Sequence, residues 1–322
     1  MRKFEKYLLS CMLLVFTKST LISLNCDVFD CKGTTLTDIP DFDNQLPLNI
    51  VENKYVNKLY DHKGITSCLR NKTLCIYGDS LIEETMHDIM ILLSGIGADK
   101  KRIHNYLQIA AGSGSKHKIT LDINDITIAL NEVMGANHHR TYRAFSPQIN
   151  FTLRHNFTGH RNPSKNLGGI RDLTHNLARE AKVLNECDII VLNSAQHDIQ
   201  RGSDAIGYQY DLEDLFSLVS VLRKPNSQVF WKGNIVVESL QHYHTHLLYN
   251  CVLQKVLSYT RNSFVQYINT TYIYTALPPR ESSNPHIGGG DYDIRDHYPN
   301  SKYSLMWSSA VTQVVLNHIC QA

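Results

Sequence analysis

Leu74–Cys75–Ile76–Tyr77–Gly78–Asp79–Ser80–Leu81–Ile82–Glu83–Glu84 is an apolar run that meets a Gly-Asp-Ser and leaves it as a helical pattern. Ile82, Met86, Ile89, Met90 and Leu93 recur three or four residues apart, so one face of a helix over Leu81–Leu93 is apolar. Leu74–Tyr77 reads as a buried strand. A serine set between a strand and a helix N-terminus has its hydroxyl exposed by the sharp turn. The unpaired N–H groups of the first helical turn favour negative charge beside it. Those are the needs of an acyl-transfer nucleophile. Serine and aspartate are also favoured helix caps, so Ser80 has a bland role open to it as well. The partners elsewhere in the chain decide between the two.

Two further stretches supply such partners. Asp188–Leu192 is a buried-strand signature that runs into the polar loop Asn193–Ser194–Ala195–Gln196–His197–Asp198. Near the C-terminus, Gly288–Gly289–Gly290–Asp291–Tyr292–Asp293–Ile294–Arg295–Asp296–His297–Tyr298–Pro299 precedes a helical pattern over Tyr303–Ile319. Between these landmarks strand-like and helix-like segments alternate. Strands are expected at Ile103–Ala110, Lys118–Ile123, Tyr142–Phe145, Ile149–Arg154, Gln228–Trp231, Ile235–Val237 and Val265–Ile268. Helices are expected over Ile170–Asn185, Leu212–Leu222 and Leu247–Ser258. Such alternation predicts an α/β fold with a mostly parallel central sheet covered by helices on both faces. Ligands then bind beyond the carboxyl ends of the strands. Ser80, Asn193 and His297 each fall just after or beyond a strand.

Together the three stretches resemble the SGNH (GDSL-like) hydrolase superfamily, whose order is Ser, then an oxyanion Asn after a central strand, then Asp and His before the last helix. More narrowly they resemble the PC-esterase group, which includes the plant trichome-birefringence-like polysaccharide O-acetyltransferases and the animal NXPE proteins. Asn193–Ser194–Ala195 is similar to the plant Asn-Thr-Gly. Gln196–His197 and His297–Tyr298–Pro299 with Leu316–Asn317–His318–Ile319–Cys320 resemble the NXPE C-terminal domain. The resemblance spans about Leu74 to Cys320 and implies a three-layer SGNH-like fold. It also implies ester chemistry on glycan hydroxyls through an acyl-serine, with O-acetyl transfer slightly ahead of hydrolysis. The chain departs from the pattern at Ile294, where the usual Asp-x-x-His has Asp, and at Ala195, where related loops have Gly.

In that scheme Ser80 is the nucleophile and His297 the base, since a neutral imidazole takes a proton near pH 7. An aspartate holds the imidazole tautomer. Asp293, with a Gly-rich approach, is preferred for this, and Asp296, the immediate neighbour of His297, is the alternative. The Ser80 N–H and the Asn193 amide are the expected oxyanion donors, joined by a glycine N–H for which Gly112 and Gly114 both stand as candidates. No resident cofactor or metal is expected, and a transferase would use an acetyl donor such as acetyl-CoA. His242, His244 and His246 would share one face of a strand, but they precede a helix without a fourth ligand at zinc spacing. His197 is a candidate substrate contact or a loop histidine, and Asp79 a turn and capping residue. Trp231, Tyr292 and Tyr298 are candidates for a sugar platform or for core. The rival class is a catalytically silent glycan-binding or extracellular interaction protein on the same fold. A third reading, a lipid or carboxyl-ester hydrolase, would require a broad apolar cleft.

The chain has 322 residues, 19 % charged and 43 % hydrophobic, with a formal net charge of +2. No basic run points to nucleic acid. Arg2, Lys3 and Lys6 precede the apolar stretch Tyr7–Phe16, the layout of a secretory signal over residues 1–24, and Lys18 cuts it short of a membrane span. A polar N-terminal strap over 25–73 and one catalytic-type domain over 74–322 are expected to follow. Sequons at Asn71, Asn150, Asn156 and Asn269 fit a secreted or Golgi/ER-luminal glycoprotein acting on a carbohydrate or glycoprotein. Eight cysteines are present, and Cys11 falls in the signal. An oxidising lumen permits disulfides. Proximity suggests Cys26–Cys31 and Cys68–Cys75, two predicted helices suggest Cys251–Cys320, and Cys187 is left as a buried free thiol.

Overall fold

The computed structural model describes residues 58–94, 118–123, 126–134, 140–157, 169–194, 198–199, 204–233, 240–270 and 302–321. Eight strands form one sheet: β1 Thr73–Gly78, β2 Lys118–Ile123, β3 Ile126–Met134, β4 Arg140–Ser146, β5 Phe151–Phe157, β6 Ile189–Leu192, β7 Gln228–Lys232 and β8 Val265–Ile268. Their order is β2-β3-β4-β5-β1-β6-β7-β8. β5, β1, β6, β7 and β8 are parallel neighbours, and β2, β3 and β4 extend the sheet beyond β5 as an antiparallel meander. The fold is therefore the α/β class expected, with the parallel strands at its centre.

The described helices are α1 His62–Leu69, α2 Ser80–Ser94, α3 Gly169–Arg179, α4 Ala181–Leu184, α5 Ala205–Leu222, α6 Leu240–Leu257 and α7 Lys302–Ile319. Because strand side chains alternate between faces, each strand feeds two cores. On one face Leu74, Ile76, Val191 and Phe230 pack with α1, α2 and α7. On the other, Tyr77, Ile190, Leu192 and Trp231 pack with α3, α5 and α6. These are the three layers. After β1 the chain builds strands on one side of β1; after β5 it crosses to the other. In open α/β sheets ligands bind at such a reversal, which here falls beyond the C-terminal end of β1.

Several local expectations are corrected. Ile170–Asn185 is two helices, broken at Glu180, whose backbone leaves the helical region at φ −101° and ψ 25°. β3 and α1 were not anticipated. His242, His244 and His246 stand inside α6, where residues two apart turn away from one another, so the shared strand face is lost. Trp231 is core, 1 % exposed and edge-on to Phe216. Ile103–Ala110 and Ile235–Val237 lie outside the described residues.

The disulfides also differ from expectation. Cys68 bonds Cys320, and Cys75 bonds Cys187. Cys68 and Cys75 cannot pair, because Cys68 packs on the α1/α2/α7 face and Cys75 on the opposite one. The same partition separates Cys251, on α6, from Cys320, so those two do not pair. Cys26 and Cys31 lie outside the described residues. No described helix is long and apolar enough to cross a membrane.

The last helix is anchored to the start of the described chain by two amide side chains. Gln313 accepts from Tyr60 N and donates to Tyr60 O, and Asn317 does the same with Lys58. Each amide thus satisfies both polar groups of one extended residue, as a neighbouring strand would.

Candidate active site

At the C-terminal ends of the strands the Ser80 turn and the Asn193 loop are in contact. Tyr77 pairs with Leu192, and Asn193 N donates to Tyr77 O at 3.0 Å. Gly78, at φ 156°, faces the Asn193 carbonyl so closely that a Cβ there would lie 2.3 Å from its oxygen. Only glycine permits that approach. Ser80 follows as the first residue of α2, and Asp79 O accepts from Ile82 N and Glu83 N to start the helix.

Asn193 is fully buried. Its Nδ2 donates to Lys232 O at 2.9 Å, which fixes the amide orientation, because the flipped amide would set two oxygens together. One Nδ2 proton is left for another acceptor. The described residues that follow in sequence, Ser194 and Asp198, are joined to each other and to α3. Ser194 Oγ donates to Asp198 Oδ2 at 2.8 Å, and the Asp198 carboxylate caps α3 by accepting from Ile170 N.

Lys232 completes the edge. Trp231 pairs with Leu192 and Lys232 with Ile268, so Gly78, Asn193, Lys232 and Ile268 form the terminal row of four parallel strands. Alternation with Phe230 places the Lys232 side chain on the α2/α7 face, and it is fully buried. Burial lowers its ammonium from the ordinary range to about 7, with the nearby Asp79 charge opposing that fall. Asp79, also fully buried, is felt from the other face too. Burial first, then Asp198, two tyrosines and Asp79 raise the Tyr208 phenol well above its usual range.

No protein-family model matches the chain, and no curated protein matches it significantly. Among solved structures it is similar to the acetylxylan esterase Axe2 from Geobacillus stearothermophilus, with 11 % identity over 78 % of this chain and 94 % of that one and a TM-score of 0.40. It is also similar to LAE5, an alpha/beta hydrolase enzyme from the metagenome of Lake Arreo, Spain, with 13 % identity over 64 % and 80 % of the two chains and a TM-score of 0.35.

Of the residues singled out in the sequence, Ser80 and Asn193 are brought to one edge on adjacent strands. His297, Asp293, Asp296, Gly112, Gly114, His197, Tyr292 and Tyr298 lie outside the described residues. Asn71 and Asn150 are exposed at the opposite end of the sheet, with Asn150 Nδ2 donating to Asn71 Oδ1 at 3.3 Å. Asn269 is exposed. Asn156 is 5 % exposed and its amide donates to Glu180 Oε1 at 2.9 Å, a setting that keeps it from a glycan in the folded chain. Lys232 was missed. Its signal was available: a lone cation closing the apolar run Val229–Trp231, one strand from Asn193.

The buried lysine carries a pH signature. A base whose folded pKa lies below its unfolded value adds stability that is complete above the unfolded value and lost as pH falls through the folded one. For Lys232 that window runs from 10.5 down to about 7. Denaturation midpoints should therefore rise with pH across it, at up to about 1.4 kcal/mol per pH unit for one proton. Lys232→Met should flatten that slope; a slope identical in both proteins refutes the assignment.

Proposed function

We propose that the chain is a serine-dependent enzyme of the secretory lumen that moves an acyl group, acetyl first, to or from glycan hydroxyls. The observation that carries this reading is the contact between the Gly78–Ser80 turn and the Asn193 loop on adjacent parallel strands. In the proposed cycle Ser80 Oγ attacks the ester carbonyl while His297 takes its proton. The tetrahedral oxyanion is met by the Ser80 N–H, the Asn193 amide and a glycine N–H from Gly112 or Gly114. Collapse breaks the acyl C–O bond, and the leaving oxygen receives the proton from His297. A sugar hydroxyl or water then resolves the acyl-Ser80 by the same steps in reverse. Asp293, with Asp296 as the alternative, would hold His297. Transfer ranks ahead of hydrolysis because the narrower sequence resemblance is to transferases; an acetyl donor such as acetyl-CoA would then be a co-substrate, and no resident cofactor is required.

The position of α7, the helix that follows His297 in sequence, supports this reading. Thr312 Oγ1 donates to Asp88 Oδ2 at 3.1 Å, tying α7 to α2. Asp88 is about 12 Å down α2 from Ser80 and Thr312 about 15 Å down α7 from Lys302, at 1.5 Å per residue. Cys320 bonds Cys68 ahead of β1, so the two helices run the same way and Lys302 stands about level with Ser80. His297 is five residues before Lys302, an extended span of at most about 18 Å. The two disulfides suit an oxidising lumen. Asn71, Asn150 and Asn269 are the proposed glycan sites.

Ile294 favours a second reading, glycan binding without turnover. A fluorophosphonate probe separates the two. The native chain should be labelled at Ser80, Ser80→Ala should not be, and His297→Ala should slow labelling by at least about 10³-fold. Asn193→Ala should lower turnover of an acetylated oligosaccharide by about 10²–10³. An unlabelled native chain that still binds glycans would establish the second reading.

A further inference from the structure

We propose that the outer edge of β2 is the contact through which two copies of this chain pair, antiparallel about a two-fold axis at Thr120. β2 ends the sheet, bonded to β3 on one side, and among the described residues no strand pairs with its other side. An edge strand offers a row of backbone N–H and C=O groups that a further strand can take up. The sequence of β2 suits that use. Ile119, Leu121 and Ile123 alternate with Lys118, Thr120 and Asp122, with neither proline nor glycine among them. Register sorts the two sets by face. Ile119 stands in one row with Leu130, Ala144, Leu153, Leu74 and Ile189, the last four of which belong to the core on the α2/α7 face. Lys118 and Thr120 stand in rows with Arg143 and Phe145, both exposed on β4. The apolar set of β2 thus continues a core row, and the polar set continues surface rows.

The order Lys118–Ile119–Thr120–Leu121–Asp122 is complementary to itself when reversed. Antiparallel pairing centred on Thr120 sets Lys118 across from Asp122 of the second copy, Ile119 across from its Leu121, and Thr120 across from its own counterpart. Opposite-charge, apolar and Thr–Thr neighbours are all favourable cross-strand pairs. The axis stands perpendicular to the sheet, so the two apolar rows meet on one side and the charges on the other. Other arrangements lose this. A shift of two residues either way removes both charge pairs within the strand. Parallel pairing in register sets Lys118 on Lys118 and Asp122 on Asp122, and like charges directly opposite are destabilising. β2, β3 and β4 already alternate in direction, so an antiparallel neighbour extends the meander and one sheet runs through both copies. The charges fix register and partner, while backbone bonds and the apolar row hold the pair. A contact of 6 residues a side is small, so the dimer is reversible rather than permanent. β3, β4 and β5 separate it from β1, and the inference is independent of the Ser80 reading.

The test is sedimentation velocity of the full, disulfide-intact chain over about 1 μM to 1 mM. It compares the native chain, Lys118→Asp, Asp122→Lys and the double variant Lys118→Asp/Asp122→Lys. The native chain should pass from monomer to dimer and stop at two copies. Either single variant sets like charges opposite each other twice in the contact and should weaken the dimer at least about tenfold. The double variant restores opposite charges with the signs exchanged and should dimerise as the native chain does. The two single variants should also pair with each other on mixing, since one edge then carries two cations and the other two anions. Where a reversal alters the circular dichroism, Asp122→Asn is read in its place and should weaken the dimer at least about twofold. A native chain that stays monomeric throughout overturns the proposal. So do charge variants that dimerise as tightly as the native chain, or a double variant as weak as the single ones. Growth beyond two copies overturns it as well, because a two-fold contact closes and a head-to-tail one does not.

Discussion

Gly78→Ala should destabilise the fold by about 3–5 kcal/mol, measured as the shift in urea midpoint at constant slope. Two costs add. A methyl group at this position would sit 2.3 Å from the Asn193 carbonyl oxygen and 3.0 Å from Ile82 Cγ2, so backbone on one side and core on the other must move. Overpacking of that kind costs about 1–3 kcal/mol. The φ of 156° adds strain for any side chain, about 1–3 kcal/mol. Relief by retreat of the Asn193 loop is opposed at both ends: Asn193 N is bonded to Tyr77 O, and Asp198 is bonded to Ser194 and to α3. Whatever fraction folds should also have lost probe reactivity, because retreat separates Ser80 from Asn193. A loss under about 1 kcal/mol would show that the two loops do not constrain each other.

The second large effect is expected from the Cys75–Cys187 bridge. It joins residues 112 apart in sequence, inside β1 and just ahead of β6, and both cysteines are fully buried. In the chain-entropy account a loop of about 100 residues corresponds to about 4.7 kcal/mol, and observed losses run to about 5. Cys75→Ala/Cys187→Ala also removes two sulfurs from a packed core. The double variant should melt more than 10 °C lower, at about 2–4 °C per kcal/mol for a chain this size. Removing Cys68–Cys320 instead should act independently and add to it, since that bridge lies on the other face of the sheet. A midpoint unchanged by the first double variant would mean that the bridge constrains nothing the sheet has not already fixed.

Both effects turn on features of different legibility. The strand–turn–helix at Leu74–Leu93 was readable because its two periodicities, two and then 3.6, are carried by contiguous residues. The strand ending at Asn193 was readable for the same reason. β3 was missed although Ile126, Ile128 and Leu130 alternate with smaller or polar neighbours. α1 was missed because a two-turn helix offers only Ile65 and Leu69 as its buried stripe. The disulfides were misread because proximity in sequence was used where the side of the sheet decides, and the side follows only from register. Lys232 was missed for a related reason, although the lone cation itself stood in plain view after Val229–Trp231. Its meaning comes from standing in one row with Gly78 and Asn193, and rows exist only after strand order is known.

The bridge between Cys68 and Cys320, with the Gln313 and Asn317 amides clamped on Lys58 and Tyr60, has a consequence for biosynthesis. The partner of Cys68 is made 252 residues later, on the last described helix. During translation α1 must therefore wait, thiol reduced and apolar face uncovered, until α7 has emerged. The sheet can start forming earlier from β1, β5 and β6, but the layer carrying α1, α2 and α7 can close only once α7 has been made. Any premature stop before Cys320 leaves an exposed Cys68 thiol behind, which is the kind of group that thiol-mediated retention in an oxidising lumen would capture.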